Sequence, residues 1–382
     1  MELRVKEDLP DDVFIEKSQA NNDFSPDEIP FEFTGKAGEY FKIWIVNIFL
    51  TILTLGVYSA WAKVRNKRYF YGSTWLNGSS FEYLATGMTI FRGRIIAAVI
   101  FGGYVLTGYI SPTVQLYMMP VLLILTPWII IRSLRFNALN SAWCNIRFNY
   151  HGSYFNAAVA YVFLPLILGF SLGLLYPVYM YYRQRLVTHF HAYGTARSSL
   201  EASIGSFYLS YLKAVLLLAG MLVTIWFIGP FIGLDALYVS FFENIGPMLS
   251  DDAGEMEQQM AAGAITLLIA SIVVPFYFFL SVYLTVTITN LVYNNISVAD
   301  NHFRSTLRYG EMLWIYFSNI VVVILSLGLM TPWAKIRVAR YRAEHLVLLP
   351  ADNLESFVAE TEKDTQAAGQ ELGEFFDLDV GM

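Results

Sequence analysis

Two stretches of the chain carry the side chains best suited to meeting an anion. TLGVYSAWAKVRNKRY at 54–69 is nearly repeated as SLGLMTPWAKIRVARY at 326–341. Each joins Leu-Gly to Trp-Ala-Lys and then to spaced arginines. The first offers Gly56, Trp61, Lys63, Arg65 and Arg68; the second offers Gly328, Trp333, Lys335, Arg337 and Arg340. Lysine is a compact point charge, arginine a planar fork that matches phosphate, and tryptophan favours the headgroup level of a bilayer. Such a cluster can orient a helix at the cytoplasmic membrane surface or hold an anionic headgroup or substrate. Ahead of each motif, Asn47 and Asn319 occupy matching places in apolar segments. An amide there must find a partner, either along a polar pathway or in an interhelical hydrogen bond that fixes packing.

Other chemistry is sparse. No Asp, Glu, Lys or Arg lies inside an apolar span, which argues against a proton pump with an acidic relay. Phosphate-cradling loops, nucleophile elbows and HExxH are absent, so neither an enzyme nor a cofactor is expected. His189 and His191 alternate in VTHFHAYG, as on a strand face, without a third ligand for a metal. The single cysteine, Cys144, reads as a small packing residue. Asn137, Asn140, Asn145 and Asn149 with His151 are mirrored by Asn290, Asn294, Asn295, Asp300 and His302; they suit helix caps and turns, or a vestibule.

The elements that position these residues are membrane helices. Hydrophobic residues make up 56% of the chain and charged ones only 15%, well below a soluble domain's quarter. Runs without any Asp, Glu, Lys or Arg occupy 43–62, 95–131, 148–182, 214–234, 258–299 and 312–334. About 20 apolar residues cross a bilayer core, so each run can hold at least one segment. The expected fold is an all-α, multi-pass membrane protein with small cytoplasmic β-elements, among them an Asn-Gly hairpin in STWLNGSSFEY at 73–83. The first residues lack the basic-then-apolar pattern of a signal peptide. Acidic tails at 1–30 and 351–382 read as solvated and disordered.

The repeated motif organises the interior into unit A (31–147), unit B (148–302) and a truncated unit C (303–350). Unit B aligns Leu172-Gly173, Pro177 and Arg185 with the motif but replaces Trp-Ala-Lys by Val178-Tyr179-Met180. If each Leu-Gly element crossed the bilayer, successive units would point in opposite directions and the 21 Lys/Arg of the core would divide 13 to 8. If it bends at Leu-Gly and returns, the units are parallel and all 21 fall on one side. The acidic stretch 230–260 then faces the other side, which fits the sign rule better. Glycine supplies the backbone angles of such a break.

The run FEFTGKAGEYFKIWIVNIFLTILTLGVYSAWAKVRNKRYFYGSTWLNGSSFEY, with both WAK-x-R copies, resembles the YjgN-like family of bacterial inner-membrane proteins, a domain of unknown function, over roughly 31–350. The resemblance implies a multi-pass protein of the bacterial inner membrane, and it brings no catalytic residues. Two functions fit. The first is a small-solute transporter or channel-like protein with a site between broken helices. The second is a lipid-binding or membrane-organising protein whose basic anchors meet anionic headgroups at the cytoplasmic face. Nucleic acid is not an expected partner, and no oligomeric state can be read.

Overall fold

The computed structural model describes residues 28–249, 254–351, 354 and 357–363. Most of both acidic tails lies outside the described residues. Ten short strands alternate with helical excursions: β1 (Ile29–Phe33), β2 (Thr74–Leu76), β3 (Ser79–Tyr83), β4 (Ser141–Trp143), β5 (Ile146–Tyr150), β6 (His191–Tyr193), β7 (Ala196–Leu200), β8 (Ile296–Val298), β9 (Asn301–Ser305) and β10 (Leu346–Leu349). They close into one antiparallel barrel in the order β1-β10-β9-β8-β7-β6-β5-β4-β3-β2. The expectation of an all-α protein is thereby overturned. Strands of three to five residues are too short for a period of two to stand out, and closure pairs Ile29 with Leu348 from opposite ends of the chain.

Tight turns link β2 to β3, β4 to β5, β6 to β7 and β8 to β9 at one end of the barrel. Asn77 and Gly78 both have positive φ (48° and 75°), the type I′ geometry expected of Asn-Gly. Cys144 and Asn145 turn the same way (47° and 64°), so Cys144 forms a turn corner as well as packing against the core. At the other rim, five antiparallel neighbour pairs are joined by helices, and β1 meets β10 without a link. Three excursions are short hairpins: α1 (Ala37–Leu53) with α2 (Ser59–Gly72); α5 (Tyr154–Ala158), a π turn at Val159–Phe163 and α6 (Leu164–Phe170) with α7 (Tyr176–Thr188); and α11 (Tyr309–Leu325) with α12 (Thr331–Glu344). The other two are long: α3 (Gly87–Ile110) with α4 (Pro112–Leu139), and α8 (Ile204–Ile228), α9 (Leu234–Ile245) and α10 (Glu255–Tyr293).

Period-two alternation sorts the barrel's faces. Phe31, Phe81, Trp143, Phe148, Tyr193 and Phe303 point into the lumen, where Phe31 stacks on Phe81 at 6.1 Å and Trp143 meets Tyr193 at 5.6 Å. Glu32, Glu82, Arg147, Arg197, His302 and Arg304 fall on the opposite, outward face. A barrel with an apolar interior and a charged exterior belongs in water, the reverse of a membrane barrel. Leu354 is buried in the same core and Phe357 stacks on Tyr193, so the C-terminal tail starts by packing against the barrel rather than in solvent.

The helices are built for the opposite medium. Four segments, Gly87–Ile110, Pro112–Leu139, Ile204–Phe231 and Glu255–Tyr293, are long and apolar enough to cross a membrane, and at most 11% of each apolar window is buried inside the protein. Contiguous exposed apolar surface on this scale has no place in water. The 17-residue arms α1 and α11 reach only ~25 Å from the rim, at 1.5 Å per residue. At their tips Leu55, Leu172 and Leu327 have φ near 50° and are 96%, 94% and 94% exposed. Gly56, Gly173 and Gly328 follow at 92°, 84° and 90°. In the first and third hairpins the glycine N–H donates to a carbonyl five residues back (Gly56 to Thr51 at 2.7 Å, Gly328 to Val323 at 2.8 Å), while the leucine N–H closes the inner bond of a Schellman cap.

A bulky side chain at a tip glycine would therefore strain the backbone although open space surrounds it. Gly56→Val and Gly328→Val are expected to lower the yield of folded, monodisperse protein severalfold, whereas Gly103→Ala, within α3, leaves it near wild type. Fluorescence-detected gel filtration of membrane extracts makes the comparison.

Candidate functional site

Each WAK-x-R motif begins the returning arm of a short hairpin, and its polar side chains first serve that hairpin. Asn47 of α1 is buried; its Nδ2 donates to Asn66 Oδ1 at 3.1 Å, and its Oδ1 accepts from Arg65 Nη1 at 3.3 Å. Asn319 of α11 repeats the arrangement, accepting from Arg337 Nη1 at 3.4 Å and donating to the Ala334 carbonyl at 3.3 Å. The two arginine bonds are charge-assisted and the two amide bonds neutral, and all four join antiparallel arms of one hairpin. The two asparagines thus serve their own hairpins and do not form one joint polar path.

Arg68 and Arg340 tie each hairpin to the next element around the ring. Arg68 donates to the carbonyls of Tyr83 (3.2 Å) and Ala85 (2.9 Å), ahead of α3. Arg340 donates to the carbonyl of Gly35 (3.1 Å), ahead of α1, which closes the ring. Tyr69 and Tyr341 latch the hairpin bases, accepting from the backbone N–H of Lys36 (2.8 Å) and Arg308 (3.0 Å). Trp61 packs over Gly87 and near Phe91 (5.5 Å), filling the space a Cβ at 87 would need. Trp333 lies under Arg337, whose guanidinium carbon is 5.3 Å from the ring centre. Lys63 and Lys335 are exposed.

Lys335 faces a cleft. The space between α10, α11 and α12 has a volume of about 630 Å³, with Phe278, Val282, Ile320, Val323 and Val338 among its walls. Asn319 and Lys335 also line it, and Arg342 and Phe70 lie at its barrel end. Arg342, Phe70 and Ala339 are shared with a second space of about 510 Å³ inside the barrel mouth, lined by Phe31, Phe81, Phe148, Asn137 and His191. Arg342 Nη2 donates to the Tyr316 hydroxyl at 3.0 Å, and among the described residues no carboxylate lines either space. Burial holds His191 below the ordinary imidazole value despite a hydrogen bond to the Val187 carbonyl, so the ring is neutral at physiological pH. A smaller space of about 350 Å³ between α7, α8 and α10 meets the cleft at Ser281 and Thr285. Among the described residues no group of three or more His, Cys, Asp or Glu could hold a metal ion.

Comparison with known proteins follows this geometry. A model of a family described as "Bacterial protein of unknown function (DUF898)" matches residues 28–375. The chain belongs to this family. An "Inner membrane protein YjgN" of Salmonella typhimurium is 25% identical over 355 residues, covering 82% of this chain and 86% of that protein. The Escherichia coli protein of the same name is 25% identical over 368 residues, covering 87% and 91%. No solved structure matches.

In this family member the sequence pointed to some cleft residues and missed others. Asn319 and Lys335 are in the cleft; Gly56, Gly328, Arg65, Arg68, Arg337 and Arg340 shape hairpins and ring, and Lys63 lies outside the cleft. Arg342 and the hydroxyl ladder Tyr277, Ser281, Thr285 and Thr289 were missed, although four-residue spacing on one helix face was visible in the sequence. Of the asparagine-rich segment, Asn290 accepts from Leu307 N–H (3.1 Å) and Asn140 bonds its own helix end (2.7 Å), as caps do. His189 caps α7, and only His191 enters a strand. The clamp makes a quantitative prediction: in a double-mutant cycle of Asn47→Ala and Arg65→Ala, followed by reversible unfolding in mixed micelles, the pair couples by about 1 kcal/mol. Strict additivity would show that the clamp contributes nothing.

Proposed function

We propose that this protein is a multi-pass, non-enzymatic protein of the bacterial inner membrane that binds an anionic lipid or lipid-like amphiphile in the cleft between α10, α11 and α12. One observation carries the reading: apolar walls flank an opening where Lys335 on the wall and Arg342 at the barrel end have no carboxylate beside them among the described lining residues. Apolar walls accept acyl chain, and exposed cations at their edge favour an anionic headgroup.

The location is supported by the relatives' names and by four helices of sufficient length. The 21 core Lys and Arg all lie within thirteen residues, along the chain, of a barrel strand. By the sign rule the barrel and both termini face the cytoplasm, where the basic rim meets anionic headgroups. The similar hairpins and their matched tip angles support an origin by internal duplication. Single cysteines at 151 and 345 in a Cys144→Ser background are expected to resist an impermeant thiol reagent in intact spheroplasts and to react after lysis. A cysteine at 249 should react in both. Labelling of 151 or 345 from outside would reverse the orientation.

Small-solute transport is the second reading, favoured by the hydroxyl ladder on α10, which lines the spaces around the cleft. The aromatic filling of the barrel, with Leu354 and Phe357 in its core, weighs against a path straight through. Native mass spectrometry of the protein released from nanodiscs separates the two. Phosphatidylglycerol is expected to be retained over phosphatidylcholine, and Lys335→Gln with Arg342→Gln to weaken it roughly tenfold, a loss of ~1.4 kcal/mol. Lys42→Gln, away from the cleft, leaves retention unchanged. Equal retention of both lipids, unaltered in the double variant, would remove the lipid-binding reading.

A further inference from the structure

We propose that the chamber in the barrel mouth is the head-group compartment of the cleft, and that the ligand is a lipid phosphodiester whose head, beyond the phosphate, carries a planar ring. The inference rests on the lipid-binding reading and names the ligand class for it. Two spaces of about 630 and 510 Å³ meet at Arg342, Phe70 and Ala339. Both volumes fall within the usual range of small-molecule sites. The guanidinium therefore stands at the junction of the compartments and not at the end of either. A terminal anion, such as a fatty acid carboxylate, would pair with Arg342 and leave the chamber empty. An anion with substituents on both sides fills both spaces, and a phosphodiester is such a group. Its single charge suits a site whose cations are Arg342 at the junction and Lys335 on the cleft wall.

The chamber's walls set the chemistry of the head. Phe31 and Phe81 lie nearly parallel, with 13° between their rings, and Phe148 and Tyr71 add further aromatic surface. Partial exposure of Phe81 and Phe148 means that their surface faces the open chamber and not only the packed lumen. Aromatic surface of this kind favours a ring laid against it by offset stacking or edge contact. Polar groups are interspersed among the rings. Asn137 Oδ1 already accepts from Lys67 Nζ at 2.7 Å, which leaves its amide NH₂ to donate. Thr74, Ser141, neutral His191 and the hydroxyls of Tyr71 and Tyr293 supply the rest, and among the described residues no carboxylate lines the chamber to repel the phosphate. The chamber thus matches an uncharged, hydrogen-bonding planar ring. A zwitterionic or polyhydroxylated head would lose hydration against the phenylalanines without recovering it.

Full-length protein in detergent micelles would be titrated by calorimetry with dodecyl phenyl phosphate, dodecyl methyl phosphate and phenyl phosphate. The two diesters share charge and tail, and only the first carries a ring. The phenyl diester is expected to bind at least tenfold more tightly than the methyl diester. Phenyl phosphate, lacking the tail, should bind far more weakly than either. Phe148→Leu and Phe81→Leu should each shrink the phenyl preference while leaving methyl diester binding intact, and Arg342→Gln should weaken both diesters. Equal binding of the two diesters by the wild-type protein, where no variant's folding is at issue, would overturn the chamber proposal and leave the cleft standing. If neither diester binds, the lipid-binding reading falls with it.

Discussion

Closure of the barrel by antiparallel neighbours is the constraint on which the rest of the molecule depends. When two adjacent strands run in opposite directions, the chain that leaves one at a rim must re-enter the other at that rim. Of the ten neighbour pairs four are linked by tight turns and five by helices, and β10 meets β1 without a link. All five therefore rise from one end of the barrel, whatever their length. A helical excursion whose ends are fixed side by side can only be a hairpin, so no short arm can cross a bilayer and stay on the far side. The polar outer face of the barrel and the apolar outer faces of the long helices then assign the two ends to different media.

Within that frame the repeated cations divide into two groups. The motif arginines satisfy polar groups that folding would otherwise strand. Arg65 and Arg337 engage buried asparagines, and Arg68 and Arg340 engage carbonyls at the strand-to-helix junctions. Leaving such groups unpaired costs about 1–3 kcal/mol each, more in a medium without water. Lys335 and Arg342 meet no comparable structural demand, and they stand where the bundle stays open.

The hairpin tips show how far the short arms belong in lipid. A leucine held in the left-handed region costs roughly 1–2 kcal/mol relative to its normal conformation. Nearly full exposure of the same side chain would add a further penalty in water. In hydrocarbon the second penalty vanishes, and the apolar tip becomes an anchor for the hairpin below it. The bases of the same hairpins, with Lys36, Arg308 and the tyrosine latches, are suited to the headgroup level.

Sequence by itself marked the apolar segments, the Leu-Gly positions where the chain could bend, and the distribution of cations that favoured a bend. Those properties are local or additive: apolar runs, Leu-Gly at matched places, and a count of cations along the chain. It also marked Asn47 and Asn319 as amides in need of partners, because an unpaired amide in a helix is costly wherever the helix goes. Only the tertiary structure decided that the β-elements join into a barrel, since three- to five-residue strands carry almost no periodic signal and their pairing is a property of the closed ring. Only the tertiary structure gave the amides their partners on the returning arm, and only it singled out Arg342 among the basic residues. Whether a cation serves a carbonyl or faces an open cleft depends on which helices flank it, and the nearest neighbours of α12 include α1, which lies almost the whole chain away.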